Sequence, residues 1–193
     1  MEIIIHRVNK ISQLKKIPQN YGVEIDLRSY KKKIILNHDP KKNGASFDLF
    51  LKNYNHGTLV LNIKEAGIED EVLSKVKKKG LKNFFLLDVE IPYIFKCIKS
   101  NKKIFALRCS HYEPLIGLKK YKNFFNWLWL DSIKKIKFSK SDLNTLKKFK
   151  ICFVCPERWG RPSEINYYKK YFKSKSIKID AIMTSKDYVN KWL

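Results

Sequence analysis

Residues 22–39, GVEIDLRSYKKKIILNHD, decide how the rest of the chain is read. Val23, Ile25 and Leu27 alternate with Glu24, Asp26 and Arg28, the period-two pattern of a strand. A lysine-rich turn then leads into a second apolar run, Ile34-Ile35-Leu36, so the stretch predicts a hairpin. Residues two apart on a strand share a face, which sets Glu24 and Asp26 side by side. Two neighbouring carboxylates repel each other unless a cation lies between them. The second strand ends in Asn37-His38-Asp39, and the hairpin is expected to return His38 toward the carboxylates. Upstream, the apolar run Ile3-Ile4-Ile5 ends in His6-Arg7.

The order His6-Arg7, Glu24-x-Asp26, His38-Asp39 resembles the glycerophosphodiester phosphodiesterase family, whose motifs are His-Arg, Glu-x-Asp and His-Asp in that sequence at similar spacing. The sphingomyelinase D toxins share the arrangement. The likeness is dense over about the first 65 residues, and order, spacing and strand context carry it together. It implies a TIM barrel, a phosphodiesterase activity and a catalytic pair, His6 and His38. It also implies a divalent metal on Glu24 and Asp26, and hard oxygen ligands suit Mg²⁺ or Ca²⁺. The family's next motif is Glu-x-Lys or Asp-x-Lys, with its carboxylate as third metal ligand. Here the sequence is Asn62-Ile63-Lys64. Asn62 offers a carbonyl oxygen without charge, with Asp88 or Glu90 as candidates to compensate. Lys64 matches the family lysine and is expected to touch phosphate. The long insertion that often follows the family's His-Asp, and shapes a glycerol pocket, is missing after Asp39.

Farther along, strand-like runs near 2–6, 22–27, 58–63, 83–88, 103–108, 126–131, 149–154 and 179–183 alternate with helical spacings. Ile68, Val72 and Val76 precede Gly80; Tyr93, Ile94, Cys97 and Ile98 follow Pro92; Tyr167, Tyr168, Tyr171 and Phe172 follow Pro162. Such alternation predicts a parallel sheet, and eight units predict a near-minimal (β/α)8 barrel, one α/β domain over residues 1–193 with an extra hairpin strand after strand two.

Barrel chemistry sits at the carboxyl ends of strands. Those ends nominate Arg7, Lys64, Asp88, Glu90, Arg108, Glu157, Arg158 and Trp159 as substrate-binding residues, beside His6, His38, Glu24, Asp26 and Asn62. The stretch Pro156–Ser163 follows strand seven, where barrels often bind phosphate, and reads as the longest rim loop. Arg158 and Arg161 suit bidentate phosphate contact.

Composition narrows the class. At 44% hydrophobic residues the chain is not disordered. No apolar run reaches the roughly 20 residues that span a bilayer. The start, Met-Glu-Ile-Ile-Ile-His, lacks a basic n-region and a cleavage-site pattern, which predicts a cytoplasmic protein. The net charge is +23, yet of 41 basic residues only Arg7, Arg28, Arg108, Arg158 and Arg161 are arginine. Nucleic-acid readers lean on arginine, and these lysines are spread out, so a small anionic phosphodiester is favoured over nucleic acid as the partner. Cys152 and Cys155 have redox spacing, but on a buried strand they face opposite sides and read as reduced core thiols. Two alternatives stand beside the enzyme: a non-catalytic barrel binding a phosphorylated ligand, and a basic nucleic-acid-binding protein. Nothing in the sequence signals oligomeric state.

Overall fold

The computed structural model describes residues 1–98, 103–115 and 123–193. Eight parallel strands make the barrel expected from the sequence. They are β1 (Glu2–Ile5), β2 (Gly22–Tyr30), β5 (Leu59–Ile63), β6 (Phe84–Leu87), β7 (Ala106–Cys109), β8 (Trp127–Asp131), β9 (Lys150–Val154) and β10 (Ala181–Thr184). Ladders run β6-β5-β2-β1-β10-β9-β8-β7. The seam between β6 and β7 carries no ladder. It is spanned by one parallel bridge, Leu86 to Phe105, with Leu86 N–H donating to the Ile104 carbonyl at 2.8 Å.

β2 organises this ring because it changes partner along its length. Val23 to Leu27 pair with β5, and Leu27 to Tyr30 pair with the antiparallel β3 (Lys33–Leu36). The turn between β2 and β3 is Lys31-Lys32, both at positive φ (48° and 60°), the backbone a two-residue hairpin of matching twist requires. A short strand, β4 (Ala45–Ser46), extends the hairpin. Gly44 sits where a Cβ would come within 2.2 Å of the Leu36 carbonyl oxygen, so only glycine lets this loop lie so close to β3.

Alternation along the strands separates two cores. Ile4, Val60, Phe85, Trp129, Cys152 and Met183 fill the barrel interior. Ile3, Ile5, Val23, Ile25 and Leu27 pack outward against the helices. Glu24 and Asp26 share the inward face of β2, so the carboxylates lie above the apolar plug and not in solvent; each is 1% exposed. Cys152 is in the inner core and Cys155 in the outer one, and both are free thiols.

The helices are economical, as the chain length demands. α1 (Ile11–Leu14) is a single turn and α5 (Lys140–Leu146) two. α2 (Phe47–Asn53) is capped by Ser46 and buries Phe47, Phe50 and Leu51. α3 (Glu69–Lys79) buries Val72 and Val76, carries acids in its first turn and lysines in its last, and ends on Gly80 in the left-handed conformation. α4 (Ile91–Ile98) carries Pro92 in its first turn and α6 (Ile165–Ser174) follows Pro162; α6 buries Tyr168 and Phe172, and α7 (Val189–Trp192) is the last helix. The side chain of Ile98, placed on the α4 face from sequence, lies outside the described residues. No helix among the described residues is long and apolar enough to cross a membrane.

One expectation is corrected. Residues 156–163 are not an open loop. They wind into two 3-10 turns, Pro156–Trp159 and Pro162–Glu164, because Pro156 and Pro162 start each turn and Gly160 stops the first at φ 73°.

Candidate active site

At the barrel mouth β1, β2 and β5 deliver their side chains to one place. Asp26 is in register with Asn62, so the two face inward at the same level. The Asn62 amide donates to Glu24 Oε1 at 2.8 Å. Arg7, just past β1, adopts a left-handed backbone (φ 57°), and its N–H donates to Glu24 Oε2 at 2.8 Å. Such conformations are strained for a residue with a side chain and persist where the surroundings enforce them. His6 Nε2 lies 3.8 Å from Glu24 Oε2.

Asp26 is held differently. Asn9 makes a reciprocal pair with it: Asn9 Nδ2 donates to Asp26 Oδ2 at 2.8 Å, and the Asp26 N–H donates to Asn9 Oδ1 at 2.9 Å. Lys64 Nζ and Arg7 Nε stand off at 3.7 Å from Oδ1 and Oδ2. The Arg7 Nε and the Asn62 Oδ1 are buried without a hydrogen-bond partner.

Burial and the charge of Asp26 push the Glu24 carboxyl up to about 7, against the pull of its Asn62 and Arg7 hydrogen bonds. Burial and the cations Arg158, Arg7 and Lys64 push His6 down to about 3, so its imidazole is neutral at physiological pH. Both shifts have one electrostatic origin: charge of each sign is crowded into a site that excludes water.

The opposite side of the mouth is an ion-pair chain. Lys64 reaches Asp88 Oδ2 at 3.2 Å. Arg108 donates twice to Asp88 Oδ1, from Nε at 3.0 Å and Nη2 at 2.6 Å, and once to Asp131 Oδ2 at 2.9 Å. The indole N–H of Trp159 donates to Asp131 Oδ1 at 2.8 Å. Asp88 also takes a left-handed backbone, φ 57°. Burial works against the Arg108 charge, but Asp88 and Asp131 outweigh it and raise its pKa.

The other nominated residues separate. Arg158 is exposed at the rim and forms no ion pair among the described residues; partial desolvation and the repulsion of Arg7 lower its pKa. Glu157 accepts from the Thr184 hydroxyl and keeps its Oε2 buried and unpartnered. His38, at the end of β3, is 43% exposed, with Nδ1 3.1 Å from Asp39 Oδ1. Asp39 also accepts from Lys42, and these two contacts hold its carboxyl down to about 2. Arg161 donates to the Ser132 and Ile133 carbonyls and so ties the 156–163 segment to the residues just after β8, away from a phosphate role. Glu90 is exposed and makes no side-chain contact with the cluster among the described residues.

One contributor was not legible as a site residue: Asn9 follows a motif by two positions and carries no signal of its own. Asp131 is legible as a polar strand end, but only the fold brings it to Arg108 and Trp159. Among the described residues no group of three His, Cys, Asp or Glu side chains is placed to hold a metal ion. That follows from the Asn62 position, where a carboxylate would complete such a group. The two carboxylates of β2, with the unpartnered Asn62 carbonyl oxygen on the adjacent β5, nevertheless present hard oxygen donors of the kind Mg²⁺ and Ca²⁺ take.

No protein-family model matches the chain, and no curated protein sequence matches it. Solved structures do. The glycerophosphodiester phosphodiesterase from Agrobacterium tumefaciens str. C58 superposes with a TM-score of 0.67 at 10% identity, covering 94% of this chain and 95% of that one. A second Agrobacterium tumefaciens chain, provisionally named a glycerophosphoryl diester phosphodiesterase, gives a TM-score of 0.63 at 11% identity, covering 95% and 92%. The likeness extends over nearly the whole of each chain and establishes a shared barrel fold.

Proposed function

We propose that this chain is a metal-dependent phosphodiesterase that hydrolyses a small soluble phosphodiester, glycerophosphodiester-like or nucleotide-linked. The observation that carries the proposal is the meeting of His6, Glu24, Asp26, Asn62 and Lys64 at the carboxyl ends of three adjacent strands, in a barrel of the glycerophosphodiester phosphodiesterase shape.

A divalent cation, Mg²⁺ or Ca²⁺, on Glu24, Asp26 and the Asn62 carbonyl oxygen would supply positive charge beside the phosphate oxygens. The protein's own cations surround the same spot. Lys64, Arg7 and the unpaired Arg158 attract the anionic substrate and stabilise charge that grows on its non-bridging oxygens. His6, neutral and largely enclosed, accepts the proton of the attacking hydroxyl, either water or a neighbouring hydroxyl of the substrate that would first give a cyclic phosphate. His38, oriented through Nδ1 by Asp39, keeps Nε2 free to protonate the leaving alcohol. Trp159, 40% exposed with Arg158 over its ring at 5.8 Å, gives the substrate an aromatic platform.

Turnover of bis(p-nitrophenyl) phosphate and of a soluble glycerophosphodiester tests this. Activity should disappear with EDTA and return with Mg²⁺, Mn²⁺ or Ca²⁺. Full activity in extensively chelated protein would remove the metal from the scheme. Asn62 favours one second reading, a barrel that binds a phosphorylated ligand without cleaving it. Metal-replete protein that binds glycerol phosphate but turns over no diester would support that reading.

A further inference from the structure

Beside the catalytic cluster lies a cleft of about 330 Å³ between the segment after β1 and the loop joining β3 to β4. Arg7 and His38 belong to it as well as to the proposed active site, so anything held there adjoins the scissile group. Asn9 and Asp39 support the proposed site through Asp26 and His38, but Lys10, Gln13, Asn37 and Asn43 have no part in the proposed chemistry.

Those walls are one-sided in hydrogen bonding. Gln13 Oε1 accepts from the Lys10 N–H at 3.1 Å, and Asn43 Oδ1 accepts from the Gly44 N–H at 2.8 Å. Asn37 Oδ1 accepts from the Asp39 N–H at 3.0 Å, and its amide donates to the Asn43 carbonyl at 2.7 Å. Backbone N–H groups can only donate, so they fix which way each of these amides points. Asn9 is spent on Asp26, and both Asp39 oxygens are engaged, by His38 and Lys42.

Each side-chain oxygen of the cleft thus already accepts a hydrogen bond. Apart from His38 Nε2, the side-chain groups left without a hydrogen bond are donors: the Gln13 and Asn43 amide N–H groups, the Lys10 ammonium and the Arg7 guanidinium. A polyol or sugar needs acceptors as well as donors, since each hydroxyl offers a hydrogen. A group made only of acceptor oxygens does not. The cleft is also fixed in place, because Gly44 lies against the β3 backbone.

We propose that this cleft is a subsite for a second anionic group, a phosphate or carboxylate carried by the substrate about one short linker away from the scissile phosphate. The inference rests on the phosphodiesterase reading and narrows its substrate class to dianionic or more highly charged diesters.

Calorimetric titration tests it without turnover. The probes are propyl phosphate, 1,3-propanediol bisphosphate and the phosphate ester of 3-hydroxypropanoate, on wild type and on the Gln13→Glu/Asn43→Asp double variant. Each substitution keeps the oxygen that holds a backbone N–H and replaces the free donor with a charged acceptor, so the fold is retained. Wild type should bind one or both two-anion probes at least about tenfold tighter than propyl phosphate, equivalent to roughly 1.4 kcal/mol. The double variant, and separately Lys10→Ala, should lose most of that advantage. The relative affinity of the bisphosphate and the carboxylate probe identifies which anion is preferred. Equal binding of all three probes by wild type, or an advantage that survives the double variant, would overturn the subsite. A protein that hydrolyses no diester yet shows the advantage would refute the phosphodiesterase reading and leave the subsite standing.

Discussion

The two halves of the barrel mouth carry similar charges and treat them in opposite ways. On the β6–β8 side, Asp88, Arg108 and Asp131 satisfy one another, and Trp159 completes the set. On the β1–β2–β5 side, Glu24 and Asp26 are more deeply buried, yet Lys64 and Arg7 stop 3.7 Å from Asp26 and the Asn62 carbonyl oxygen has no partner. Closed ion pairs in a protein hold shape. An unpartnered carbonyl oxygen and ion pairs held open at 3.7 Å leave capacity for a bound ion, and for that reason the proposal puts the chemistry in the second half.

The strongest way to break this comparison is to remove the histidines, which both belong to the open half. His6→Ala and His38→Ala should each lower kcat by roughly 10²–10⁴-fold with little change in thermal stability. Near-normal turnover of a glycerophosphodiester by both variants would take the acid–base pair out of the open half.

The closed half should respond in stability first. Arg108→Met leaves Asp88 and the nearly buried Asp131 facing each other without their shared cation. Losing one partner of a largely buried pair costs on the order of 3 kcal/mol. Chemical denaturation should show that loss, while His6→Ala shows little. An Arg108→Met protein of unchanged stability and strongly reduced kcat would mean that Arg108 grips substrate and that the two halves share the chemistry.

This division also marks how far the sequence could be read. The barrel, its eight strands and the β2–β3 hairpin follow from period-two runs and turn residues, which are local. His6, Glu24, Asp26 and Lys64 are legible because each ends a strand at a spacing that a known motif set repeats. Asn9, the pairing of Asp131 with Arg108 and the role of Arg161 are not, because each depends on a partner 17 to 29 residues away whose approach only the folded ring creates. Glu90 shows the converse. Its position two residues past Asp88 suggests a shared face, but the left-handed backbone at Asp88 ends the strand and leaves Glu90 in solvent.

Asn62 gives the finest test, because it is where the open half departs from the motif. Its amide donates to Glu24, which partly relieves two crowded carboxylates without adding charge. With its pKa pushed up to about 7, well above an unfolded glutamate, Glu24 favours folding in its protonated form. In chelated protein that contribution is present at low pH and fades as pH rises from the ordinary glutamate range through 7. Asn62→Asp removes the donor and adds a third carboxylate to the same cluster. The chelated variant should therefore be less stable than wild type, with a larger deficit at pH 8 than at pH 5. With Mg²⁺ or Ca²⁺ the order should reverse: the added charge should tighten metal binding about tenfold, near 1.4 kcal/mol, in calorimetric titration. Affinity that is unchanged or weaker would place the third oxygen elsewhere. Asp88 is then the next candidate, since Lys64 already joins it to Asp26, and the boundary between the open and closed halves would move from Asn62 to Lys64.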